Sequence, residues 1–173
     1  MVSAKPWRSS IRIDDSKQLT PRQRERAFEA ILRCAHVGVG LACAEEIDRD
    51  NILQATLLAM RRAISDLPIQ PEMILVDGPV VPRVELPCWP IIHGDALSRV
   101  IACASIVAKV TRDRLMRFYH RLLPHYAFDE HKGYGTPRHR LALAQWGPSP
   151  LHRLSFQPMQ STVHGRQSTV HRS

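Results

Sequence analysis

From Ser98 to about Leu123 the chain shows a helical period whose first half is apolar nearly all round, so this helix must be wrapped by other elements rather than lie on a surface. Val100, Ala104, Val107, Thr111, Leu115, Phe118 and Leu122 form one expected stripe, with Ser105, Lys109 and Arg112 on the other side. A central helix of this kind needs a domain around it. The chain has 173 residues, 44% of them hydrophobic, which is enough for one compact domain.

The other elements follow from local signals. Thr20 is a cap with Pro21 at the first helical position and Gln23 placed to close a capping box, which opens a helix running to about Cys34. His36 to Ala44 alternates small and β-branched residues with two glycines and predicts a strand packed closely on a neighbour. Glu45, Glu46, Asp48 and Asp50 crowd the start of a second helix, whose apolar stripe is Leu53, Leu57, Met60, Ile64 and Leu67. Two short apolar runs follow, 73–77 and 88–95, each ending in an acid beside a glycine, as buried strands do. Thr136-Pro137 opens a last helix that continues to about Trp146. Strands near 36–44, 73–77 and 88–94 between helices predict an α/β fold with a mixed sheet.

Composition limits the function. Against 16 Asp and Glu stand 24 Lys and Arg, a formal charge of +8, so the surface should attract phosphate backbones. Cys34, Cys43, Cys88 and Cys103 are irregularly spaced and form no C-x-x-C pair, so neither a zinc site nor a disulfide framework is indicated. They read as small buried residues in a reducing compartment. The absence of a membrane-length apolar stretch or a signal-peptide core leads to a cytoplasmic expectation, with no membrane partner. Gln160 to His164 recurs as Gln167 to His171, and residues 159–173 read as a disordered polar tail.

Asp77 and Asp95 are the chemical candidates. Hard divalent cations prefer carboxylate oxygens, so acids converging at strand ends make a phosphoryl-transfer site. Asp beside Gly is equally a common turn acid, and spacing alone leaves both readings open. The block 131–136 (His-Lys-Gly-Tyr-Gly-Thr) suits a loop that grips phosphate and stacks a sugar, or a well-made connection into a capped helix.

Several stretches taken together resemble one family, the bacterial ribonucleases HII. They are residues 15–20 (DSKQLT), 46–51 (EIDRDN) with ILQAT following, 75–78 (LVDG), 94–95 (GD), 104–113 (ASIVAKVTRD), 131–136 (HKGYGT) and 152–156 (HRLSF), in family order across about residues 11–158. The resemblance implies a ribonuclease H-like α/β domain over 11–158. It also implies a metal-dependent endonuclease that cuts the RNA strand of RNA–DNA hybrids, including single ribonucleotides embedded in duplex DNA. In that family four carboxylates hold Mg²⁺ or Mn²⁺ and a metal-activated water attacks. Asp77 and Asp95 match the third and fourth acids. Tyr134 matches the tyrosine packed on the sugar where the 2′-hydroxyl is read. Lys17, Asn51, Ser105 and Lys109 fall in stretches that line the substrate groove or brace the site.

The family opens with a strand bearing Asp-Glu, followed by glycines and a Gly-Arg-Gly turn, and none of this stands before Ile11. Asp14-Asp15 lies within the Asp-Ser-Lys stretch and lacks the glycines, so it is no replacement. The expectation is therefore a shortened or mis-started member with the N-terminal strands missing and its cleavage impaired. The alternatives are a module that holds hybrid without cutting it, and a degraded gene product. A monomer is expected, and the polar tail gives no support for a sliding-clamp partner.

Overall fold

The structure is a computed structural model that describes residues 2–4, 13 and 16–155, with 2–4 described as backbone alone. In chain order the elements are β1 (Val2–Ala4), α1 (Pro21–Cys34), β2 (Ala35–Val37), α2 (Ala44–Ser65), β3 (Ile74–Asp77), β4 (Cys88–Ile91), α3 (Gly94–Leu97), α4 (Arg99–Leu122), a 3-10 turn (Pro124–Tyr126), α5 (Phe128–His131) and α6 (Pro137–Trp146). The described residues form two compact units, one of residues up to 41 with 56–111, the other of 42–55 with 112–155. The tail and Phe156, like Ile11, Asp14 and Asp15, lie outside the described residues.

In the first unit α1 begins where its signals put it. Thr20 Oγ1 accepts from the Gln23 amide and the Gln23 side chain accepts from the Thr20 amide, a complete capping box. The helix buries Ala27, Phe28, Ala30 and Ile31, and three of these join Leu19, Cys103, Ile106, Val107 and Val110 in one core cluster. The buried face of α4 is thus Ile101, Ala102, Cys103, Ile106, Val107 and Val110. Of the expected stripe only Val107 is buried, and Phe118 and Leu122 are exposed. A helix apolar on all sides carries no periodic signal for which side its neighbour takes.

The strands are shorter than expected. β2 stops at Val37 and pairs antiparallel with β1, so a strand without acidic residues does precede Ile11. Residues 38–43 are not strand. The two glycines there serve a close approach to α2 rather than to a neighbouring strand: a Cβ at Gly38 would lie 2.1 Å from the Ala63 carbonyl oxygen, and one at Gly40 2.0 Å from that of Ala59. Asp66 accepts from the Val39 amide and Arg62 donates to the Leu41 carbonyl, which holds the segment down. Gly40→Ala should therefore cost about 2 to 3 kcal/mol in denaturant unfolding; a loss under 0.5 kcal/mol would mean that the segment moves aside freely.

β3 and β4 pair in parallel, with Asp77 opposite Ile91. The α/β class stands, and among the described residues the strands form one antiparallel and one parallel pair rather than a single mixed sheet. Strand β4 ends at Ile91, so Asp95 sits in the first turn of α3 rather than at a strand end. Of the cysteines Cys103 is buried, Cys34 and Cys88 half-buried and Cys43 exposed, which corrects the expectation of four buried thiols; all are free.

In the second unit Tyr126, Phe128, Ala142 and Leu143 form the core, with Met116, Tyr119 and Leu123 against it. Thr136 caps α6 through the His139 amide. Helix α2 breaks at Asn51, whose φ of 68° and ψ of 166° are not helical. Its side-chain oxygen accepts from the amides of Leu53 and Gln54, so the second stretch of helix starts on an asparagine cap.

Candidate functional site

Asp77 ends β3 and is exposed, and its Oδ1 accepts from the Gly94 amide at 2.8 Å. That bond ties the acid to the residue before Asp95. Gly94 packs closely on Ile101, whose terminal methyl would lie 2.6 Å from a Cβ at 94 and would have to turn aside. His93, in the left-handed region at φ 57°, supplies the bend between β4 and α3. Asp95 is half-buried in the first turn of α3.

Two acids are oxygen donors of the kind a hard cation takes. In number they fall short, since among the described residues no group of three or more His, Cys, Asp or Glu is placed to hold a metal ion. The donor set fits a hard divalent cation in kind and would supply only part of its shell.

Ser16 and Ser105 are joined through their hydroxyls at 2.9 Å, which fastens the turn at 16–18 to α4. Arg24 clamps the same turn by donating to the carbonyls of Ser16 and Leu19. Lys17 is exposed on that turn, and Lys109 is half-buried one helical turn beyond Ser105. Ser16, Lys17, Ser105 and Lys109 belong to the same unit as Asp77 and Asp95. Asn51 and Tyr134 belong to the other. The Asn51 side chain is occupied as a helix cap.

Tyr134 lies in the loop 132–136 with 62% of its surface exposed. Lys132 and Gly133 adopt left-handed backbone at φ 51° and 84°. The Arg112 guanidinium donates to the Lys132 carbonyl at 2.6 Å and lies 5.6 Å from the Tyr134 ring centroid, within cation–π range. Lys132 reaches back to the Asp129 carbonyl.

Three features hold contacts that the sequence reading did not give them. Asp48 accepts from the Leu154 amide at 2.7 Å and from the Ser155 amide and hydroxyl at 2.9 and 2.5 Å. Burial pushes its carboxyl up, but the bonds from Ser155 and Leu154 outweigh this and hold it below the ordinary aspartate value. Asp48→Ala should cost about 2 kcal/mol and speed amide exchange at Leu154 and Ser155; unchanged exchange there would remove the anchoring role. The second is Arg112, and the third a buried cluster of His131, His139 and His152. Each lies in a stretch quoted for the resemblance or beside one, yet only long-range geometry shows what it holds.

A small parallel strand pair ending in an acid and flanked by helices is an α/β arrangement of the ribonuclease H type. The ribonuclease HII family model matches residues 5–159, and the chain belongs to that family of metal-dependent endonucleases that cut the RNA strand of RNA–DNA hybrids. It is 51% identical over 150 residues to ribonuclease HII of Chlamydia pneumoniae, covering 86% of this chain and 70% of that protein. To the Thermotoga maritima ribonuclease HII it is 48% identical over 147 residues, covering 85% of this chain and 61% of that one. The chain thus spans about two thirds of the length of these relatives. Among solved structures it resembles the ribonuclease H2 of Pyrococcus horikoshii OT3, with TM-score 0.73, 26% identity, and 92% and 83% of the two chains covered. It shares its fold with Bst-RNase HIII in complex with Mn²⁺, at TM-score 0.62 and 18% identity over 90% and 59% of the two chains. Among the described residues no helix is long and apolar enough to cross a membrane.

Proposed function

We propose that this chain acts on RNA–DNA hybrids and on duplex DNA with embedded ribonucleotides. Asp77 and Asp95 provide two of the carboxylates for Mg²⁺ or Mn²⁺, and Tyr134 packs on the sugar at the ribonucleotide. Lys17, Asn51, Ser105 and Lys109 fall in the stretches that line the substrate groove or brace the site. The observation that carries this reading is the family match together with Asp77, an exposed strand-terminal acid tied to the residue before Asp95. The working form is a monomer in the cytoplasm, and the polar tail gives no support for a clamp partner.

The experiment is cleavage of an end-labelled hybrid and of a duplex with one ribonucleotide, in Mg²⁺ and in Mn²⁺. Products with 5′-phosphate and 3′-hydroxyl ends support the reading. The absence of a group of three metal-binding side chains among the described residues favours a second one, hybrid binding with little cutting. It predicts retention of hybrid in low salt with no product in either metal.

Under both readings the charge of +8 makes binding electrostatic. Affinity for hybrid should fall by orders of magnitude between dilute and physiological salt, since each phosphate contact releases counterions. A flat salt response in fluorescence anisotropy would exclude backbone binding.

A further inference from the structure

The hydrogen bonds around the buried histidines admit one arrangement of neutral rings. Nδ1 of His152 receives the Ser149 amide at 2.9 Å, and an amide N–H only donates, so the His152 hydrogen is on Nε2. Nε2 lies 3.0 Å from Nε2 of His139, which must accept. The His139 hydrogen is then on Nδ1, 2.9 Å from the Tyr134 carbonyl oxygen, which only accepts. Read from either end, the chain of donors runs from Ser149 through His152 and His139 to the backbone of Tyr134. His131 completes the frame. Its ring stacks on His139 at 4.1 Å, its Nδ1 accepts from the Gly133 amide, and its carbonyl receives the Tyr134 amide at 2.8 Å.

The backbone of Tyr134 is therefore pinned at both its amide and its carbonyl, while its ring stays exposed. An exposed ring on a fixed base loses little freedom when it docks. We infer that His139, held in one tautomer by His152, is a positioning residue that fixes Tyr134 for contact with the substrate sugar. This rests on the sugar-packing role proposed for Tyr134. Burial agrees with neutral rings: it holds both imidazoles below the ordinary histidine value, His152 at about 4.

Two amide substitutions separate positioning from packing. His139→Asn puts an amide N–H near the place of Nδ1 and keeps a donor to the Tyr134 carbonyl. His139→Gln puts its amide near Nε2 and leaves that carbonyl bare. The loss of the ring is common to both. With fluorotyrosine at Tyr119, Tyr126 and Tyr134, the fluorine resonance of residue 134 is identified by its loss in Tyr134→Phe. His139→Gln should shift and narrow that resonance. It should also lower the preference for a duplex with one ribonucleotide over plain duplex by about threefold to tenfold, the worth of one hydrogen bond. His139→Asn should keep most of both. Equal effects of the two substitutions, or an unmoved resonance in His139→Gln, would overturn the inference.

Should either His139 variant fail to fold, His152→Gln and His152→Leu make the same comparison, because only the glutamine can donate to His139 Nε2. Equal resonances in that pair would also overturn it. The two readings fail separately: Tyr134→Ala with an unchanged preference withdraws the sugar contact, whereas the resonance of residue 134 reports the positioning alone.

Discussion

Asp77→Asn is expected to lower hybrid cleavage by about a hundredfold or more while leaving the unfolding temperature nearly unchanged. The two halves of this expectation come from the two oxygens of one side chain. Asparagine retains Oδ1 and so keeps the acceptor for the Gly94 amide that joins β3 to α3. What it removes is the negative charge, which a divalent cation and the reaction it assists require. Should cleavage by the parent chain be too slow to lower further, Mn²⁺ affinity from water-proton relaxation carries the same comparison, with a weakening of at least about tenfold. A variant that unfolds earlier yet binds Mn²⁺ as well as the parent would make Asp77 a structural anchor of the β3–α3 connection. Asp95→Asn, for which no such backbone bond is seen among the described residues, provides a control for charge.

How far these roles were legible in the sequence depended on whether the signal was local. Caps are local: Thr20 with Pro21 and Gln23, and Thr136 with Pro137, fixed helix starts that the structure repeats. The place of Asp77 at a strand end was legible in the short apolar run before it, whereas a metal-binding role came only from the resemblance, since Asp-Gly is as common in turns. The glycines at 38 and 40 signalled close contact correctly but not what they touch, since a helix backbone at van der Waals distance leaves the same mark as a neighbouring strand. The face of α4 was not legible at all where every side is apolar. Asp48 binds residues more than a hundred positions away, and His139 and His152 meet across 13, so neither pairing has a signature in spacing. The family resemblance marked the stretches that matter and left open which of their side chains meet substrate and which hold the loop.

Acid should withdraw the stability that the histidine frame contributes before it reaches the bonds of Asp48. In the folded chain burial, and then the neighbouring His139, hold the His152 imidazole at about 4, against 6.5 when unfolded. Above pH 6.5 the ring is neutral in both states and the network is at full strength. As pH falls from 6.5 towards 4, the unfolded chain takes up a proton that the folded chain refuses, so stability declines across that window. The whole loss is reached once the folded ring protonates, and amounts to about 3 kcal/mol at roughly 1.4 kcal/mol per pH unit. Protonation then sets an N–H at Nδ1 against the donating amide of Ser149. Asp48 acts with the same sign in a lower window, because its carboxyl is already held below 3.8 and its bonds to Leu154 and Ser155 are lost only as pH falls beneath that. Urea unfolding at several pH values between 7.5 and 4.5, on the parent chain and on His152→Gln, isolates the histidine contribution. The parent should lose stability more steeply, and the protection of the Gly133 and Tyr134 amides, relative to the intrinsic exchange rate at each pH, should fall in the same range. Parallel curves for the two proteins would mean that His152 titrates freely, and the neutral donor chain from Ser149 to Tyr134 would have to be redrawn.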